Sequence, residues 1–173
     1  MTNNNIITIV GKSNSGKTTL IEKLVKNLTK KGYKVGTAKH VHDNIEIDTK
    51  KKDSWRHKQA GANSVLVVSE NKIALIKDDS NPHVNKMQSY LSDTDIVIAE
   101  GFKGQNLPKI EVFRKKACHK EPLYKNFKKK DFNLIAFVSD SNHGPFYVPN
   151  FKLEDIEKIT YLIEDKFLQP YEK

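Results

Sequence analysis

Residues Gly11, Lys12, Ser13, Asn14, Ser15, Gly16, Lys17 and Thr18 run consecutively and read G-x-x-x-x-G-K-[ST]. That spacing suits a phosphate cradle. The glycines let backbone N–H groups turn inward around an anion, and a helix opening at the second glycine adds its positive end. Lys17 would reach the β- and γ-phosphates of a nucleoside triphosphate, and the Thr18 hydroxyl would ligate Mg²⁺. Thr19 follows in the same turn and is counted with the cradle. Lys12 admits a sharper reading. In one branch of proteins with this loop, a lysine after the first glycine reaches into a partner subunit's nucleotide. Those proteins have Gly-Gly next, whereas Ser13-Asn14 follow here, and a solvated loop lysine is the plainer reading.

Such chemistry needs an acid at a neighbouring strand end, holding Mg²⁺ or orienting the attacking water. Glu100 closes the apolar run Asp95-Ile96-Val97-Ile98-Ala99 and precedes Gly101, a Walker-B-like position with Glu in place of Asp. Lys17 and Glu100 are thus the expected catalytic pair. Asp48, in a polar stretch, is the other candidate for the Mg²⁺ shell. Lys39-His40-Val41-His42 leaves a strand end, so Lys39, His40 and His42 are candidate phosphate or ligand contacts. Zinc at this His pair is disfavoured, because no Cys or third His stands nearby.

The elements that must position these groups follow from periodicity. Residues 6–10 form a β-branched apolar run, and residues 18–31 carry Leu20, Ile21, Leu24, Val25 and Leu28 at helical spacing before Gly32. With a second strand at 33–39 this is a βαβ unit. A short helix is expected at 54–61, a hairpin from 64–69 and 72–76, and a helix at 85–91. Further strands are expected at 95–99, 109–113 and 133–138, with a closing amphipathic helix over 153–167. Residues 115–131 show no clear element. The fold expected is α/β, P-loop NTPase-like, a mostly parallel sheet flanked by helices with an added β-hairpin, in a single domain over residues 1–173. Ligands in such sheets sit beyond the carboxyl ends of the strands, where the motifs fall.

The composition bounds the function class. The chain has 173 residues, a net charge of +9 and a single Cys, Cys118, read as an incidental thiol. No apolar run approaches the ~18 residues of a membrane span, and no signal-peptide pattern opens the chain. A cytoplasmic protein is expected. The basic residues, mostly Lys, are dispersed, and no nucleic-acid motif accompanies them, so an anionic small ligand is favoured over nucleic acid.

Taken in order, the loop, Lys39-His40-x-His42, Asp48, Lys52-Asp53-Ser54, Gly61-Ala62 and Glu100-Gly101-Phe102-Lys103 resemble the MobB family of molybdopterin-guanine dinucleotide biosynthesis adaptors. The resemblance runs from about residue 5 to 140. It implies GTP binding with Mg²⁺, weak GTPase activity and a homodimer. It also implies a MobA-type guanylyltransferase partner, and molybdopterin or its guanine dinucleotide as second ligand. It places Lys103 beside the site. Three departures stand out: Lys51 where the family has Gly, Asp43 in the H-x-H-H pattern, and no N-K-x-D guanine signature. Ser139-Asp140 at a late strand end is the nearest substitute, since an Asp carboxylate can accept guanine N1–H and N2–H₂. The alternative is a small-molecule kinase on the same scaffold. Arg56 and Arg114 are its candidate phosphoryl clamps, but no Arg-rich lid segment is visible.

Overall fold

The structure is a computed structural model that describes residues 5–41, 45–79, 84–117, 120–141 and 144–168. In chain order it contains β1 (Asn5–Val10), α1 (Lys17–Lys30), β2 (Val35–Lys39), α2 (Asp53–Gln59), β3 (Ser64–Val68), β4 (Ile73–Lys77) and α3 (Val84–Tyr90). There follow β5 (Ile96–Glu100), β6 (Lys109–Phe113), α4 (Lys129–Phe132), β7 (Leu134–Ser139), β8 (Asn150–Phe151) and α5 (Ile156–Phe167). Short 3₁₀ turns occupy Lys115–Ala117 and Leu123–Asn126. Two compact units result: Met1–His40 with Val84–Lys173, and Val41–His83.

The larger unit is built on a six-stranded sheet of order β2-β5-β1-β6-β7-β8. Every pairing in it is parallel. Strands β1, β5 and β7 are mostly apolar along their length because both faces are covered. On one face α1 and α5 pack Leu20, Leu24, Leu28, Ile159 and Ile163 against Ile7, Ile9, Ile98, Ile110 and Val138. On the other face Ile6, Val97 and Ala99 meet Met87 and Leu91, while Val10, Phe132 and Leu134 meet Leu123, Tyr124 and Phe127. Leu123, Tyr124 and Phe127, in the stretch 115–131 that shows no clear element in sequence, therefore help to cover that second face.

The smaller unit holds α2 and the antiparallel hairpin β3–β4. Its register pairs Leu66 with Leu75 and Val68 with Ile73 on one face. These side chains are 45–72% exposed.

Several expected boundaries move. The strand expected from 33 begins at Val35, because Tyr33 N–H donates to Leu28 O and its ring is buried in the core. The closing helix begins at Ile156 rather than 153. Lys152 N–H donates to the Asp155 carboxylate at 2.9 Å, folding residues 152–155 into a turn that still packs Leu153 on the core. Strand β8 is too short to register as a periodic pattern, and β5 and β7 each shift one residue toward the C-terminus, starting at Ile96 and Leu134 and ending at Glu100 and Ser139.

Candidate functional site

The loop of residues 11–18 joins β1 to α1 at the carboxyl edge of the sheet. A Cβ on Gly11 would lie 2.4 Å from Val112 O and 2.6 Å from Ser15 Oγ, so only glycine fits against β6. Asn14 (φ 60°) and Gly16 (φ 93°) turn the chain through the left-handed region. Gly16 caps α1 with no side-chain hydrogen bond, and the first turn of α1 has no acid. The helix's first N–H groups and its positive end are thus left for an anion. Ser15 Oγ is buried without a hydrogen-bond partner among the described residues. Lys17 Nζ curls back to Lys12 O at 2.9 Å. Burial pulls the Lys17 pKa down, Glu100 offsets this and Lys39 adds to it.

Parallel pairing delivers the acid. In the β5 register Glu100 stands opposite Ile9 on one side and Lys39 on the other. Its Oε2 accepts the Thr18 hydroxyl at 3.0 Å, and Lys39 Nζ lies 4.0 Å from Oε1. The loop threonine and the strand-end acid therefore meet directly, although 82 residues separate them. The turn beyond is tightly specified. Gly101 (φ 93°) donates to Ile9 O at 3.0 Å, and a Cβ on it would sit 3.2 Å from His40 Cβ. Phe102 (φ 53°) is a bulky residue in the left-handed region, a conformation that costs about 1–3 kcal/mol and survives where the surroundings dictate it. Its ring meets His40 edge-on at 5.0 Å. Lys103 follows, exposed.

Of the residues expected at the site, the structure brings together Gly11–Thr18, Lys39, His40 and Glu100. His42 lies outside the described residues, as does Cys118. Asp48 belongs to the smaller unit. There its Oδ1 accepts Thr49 N–H at 2.8 Å and the Ser54 hydroxyl at 3.1 Å, while Oδ2 is buried with no hydrogen-bond partner among the described residues. Ser139 and Asp140 close β7 at a cavity of about 680 Å³, lined also by Lys116, Lys152 and the fully exposed Phe146. Asp140 accepts Lys115 N–H at 2.8 Å and Lys116 N–H at 3.4 Å, so its carboxylate also holds the turn after β6.

Glu111 is a charged residue that pattern reading missed. It is 1% exposed and accepts the N–H groups of Leu123 and, at 2.9 Å, Tyr124. Burial raises its pKa to about 7, against the opposing pull of those N–H groups and of Lys12. Lys109, two residues earlier on the same face, is wholly buried, with Nζ on Gln105 O and Leu107 O and over the Phe132 ring. Alternation of Lys109 and Glu111 reads as a solvated strand face, and only the covering segment makes it an interior.

The family model for molybdopterin guanine dinucleotide synthesis protein B matches residues 6–140. The chain belongs to the MobB family. A molybdopterin-guanine dinucleotide biosynthesis adapter protein of Haemophilus influenzae is 38% identical over 112 residues, covering 63% of this chain and 63% of that relative. The Escherichia coli adapter of the same name is 35% identical over 134 residues, covering 74% of each chain. A crystal structure of molybdopterin-guanine biosynthesis protein B superposes with a TM-score of 0.73 at 30% identity, covering 92% of this chain and 97% of that one. The six-stranded parallel sheet flanked by helices is thus the MobB architecture, as expected from the sequence. Among the described residues no helix is long and apolar enough to cross a membrane, and no cluster of three or more His, Cys, Asp or Glu is poised for a metal.

Proposed function

We propose that this chain is a cytoplasmic GTP-binding adaptor with weak GTPase activity that supports guanylylation of molybdopterin by a MobA-type guanylyltransferase. The observation that carries the nucleotide site is the 3.0 Å hydrogen bond from Thr18 to Glu100 beside the glycine-bounded loop. A hydroxyl and a carboxylate so placed fit a hard divalent cation, with Thr18 and Glu100 as its protein ligands. Mg²⁺ bound there would neutralise charge on the β- and γ-phosphates. Lys17 would exchange Lys12 O for phosphate oxygens, and its burial strengthens that contact. Glu100 is the residue available to orient the attacking water. No glutamine stands in the loop or at the strand end to share that task, so turnover should be slow. Ser139 and Asp140, at the mouth of the 680 Å³ cavity, are the proposed readers of guanine. The Asp140 carboxylate has about four lone-pair sites and spends only part of them on Lys115 and Lys116.

The homodimer belongs to the same proposal. The hairpin face formed by Leu66, Leu75, Val68 and Ile73 leaves a contiguous apolar ladder exposed, the kind of surface that a second copy covers. Molybdopterin and its dinucleotide are polyanions, and Lys50–Lys52 and Lys115–Lys116 are the proposed basic contacts for them or for the partner.

Calorimetric titration with GTP and then ATP, each with Mg²⁺, tests the reading. GTP should bind in preference to ATP, Asp140→Ala should remove the preference, and Lys17→Ala should abolish binding of both. Equal affinity for the two nucleotides would favour a small-molecule kinase, and wild-type affinity in Lys17→Ala would refute the loop assignment.

A further inference from the structure

β5 and β6 flank β1 on opposite sides, so the residue that follows β6 stands across the loop from Glu100. That residue is Arg114. A Cβ built on Gly16 would lie 3.8 Å from Arg114 Cδ, which lays the arginine stem on the last glycine of the loop. Arg114 Nε is buried and has no hydrogen-bond partner among the described residues. Its nearest acid oxygen, Asp140 Oδ2, is 3.9 Å away, beyond hydrogen-bond reach. The side chain as a whole is 42% exposed, so it remains open to a ligand. An unmet buried guanidinium donor is costly, and an anionic oxygen is its natural acceptor. Asp140 holds the same turn by accepting Lys115 N–H and Lys116 N–H, and with Lys116 and Ser139 it also lines the cavity beyond β7. Arg114 therefore stands between the phosphate loop and that cavity.

We propose that Arg114 binds the α-phosphate and ribose of a nucleotide, the part that joins the phosphates to the base, and that Asp140 positions it. This rests on the nucleotide-binding reading of the loop. The contact is blind to the base and distinguishes a nucleotide from pyrophosphate, which matches the two outer phosphates but has no α-phosphate or ribose. Lys17 grips the far end of the phosphate chain, which both classes of ligand share.

The test titrates GTP, ATP and inorganic pyrophosphate, each with Mg²⁺, into the full chain and its variants. Arg114→Ala should weaken GTP and ATP by the same factor, roughly tenfold or more, and leave pyrophosphate unchanged. Arg114→Lys keeps the charge without the fork and should recover part of the loss, which guards against a folding artefact. With ATP as ligand, Asp140→Ala should weaken binding in the wild-type background and add nothing in the Arg114→Ala background. Unchanged GTP and ATP affinity in Arg114→Ala, with binding lost in Lys17→Ala, overturns this inference and leaves the loop assignment standing. An equal loss for pyrophosphate also overturns it, placing Arg114 on the terminal phosphates or on the loop's shape. If the wild-type chain binds none of the three ligands, the nucleotide reading itself falls and takes this inference with it.

Discussion

Replacing Glu111 with Gln should stabilise the protein at pH 8 and not at pH 5. Glu111 is an acid in a dry interior, 1% exposed, beneath the strand that feeds the loop: its register partner is Val10. Leu123 and Tyr124 N–H and the charge of Lys12 favour the carboxylate, yet burial outweighs them and raises the pKa from 4.5 to about 7. A carboxyl with a raised folded pKa is content when protonated. Its contribution is fully present below pH 4.5 and is lost as pH rises toward 7. That rise is worth about 3 kcal/mol. Gln at 111 carries no charge, but its single carbonyl cannot replace both acceptor oxygens, a loss of about 1 kcal/mol. The net expected at pH 8 is a gain of about 2 kcal/mol, or roughly 4–8 °C in Tm for a domain of this size. Near pH 5 the variant should match the wild type or fall about 1 kcal/mol below it. The assay is thermal melting of both proteins at intervals from pH 4.5 to 8.5. If Glu111→Gln is less stable at pH 8 by the same margin as at pH 5, the buried carboxylate is supported and the reasoning fails. Tyr147, whose own pKa burial raises with help from Tyr124 and Glu111, titrates above this window. Lys109, pulled down to about 8, costs stability while charged and relieves it only as pH rises from about 8 toward 10.5.

Two further substitutions probe the frame of the site. Gly11→Ala sets a Cβ 2.4 Å from a backbone oxygen, so loop or strand must shift; about 1–3 kcal/mol of stability and at least tenfold in nucleotide affinity should be lost, read by melting and calorimetry. Unchanged affinity would show that the loop tolerates the displacement and does not hold phosphates closely. Leu24→Ala empties a fully buried position between α1 and the sheet; urea unfolding should show a loss of about 2–5 kcal/mol, and a loss below about 1 kcal/mol would contradict the packing described.

The elements nearest the chemistry were the most legible. β1 and α1 differ by a residue from what periodicity predicts, because a continuous β-branched run and a 3.6-residue apolar stripe are strong local signals. The loop is legible for the same reason: its glycines, lysine and threonine act through the backbone they themselves shape. Glu100 could be ranked as a strand-end acid. Its meeting with Thr18 could not be read from spacing, since it depends on which strand lies beside β1.

The sequence by itself determined the loop, the alternating α/β pattern and the family resemblance, since each is written in short-range spacing. Only the tertiary structure decided the rest. It set Arg114 against Gly16, turned Asp140 onto the backbone of residues 115–116, and buried Lys109 and Glu111 under residues that show no periodicity. In each case the partner is remote in the chain, and whether a polar side chain is solvated, paired or stranded depends on what covers it. Long-range packing supplies that cover, and a local pattern carries no record of it.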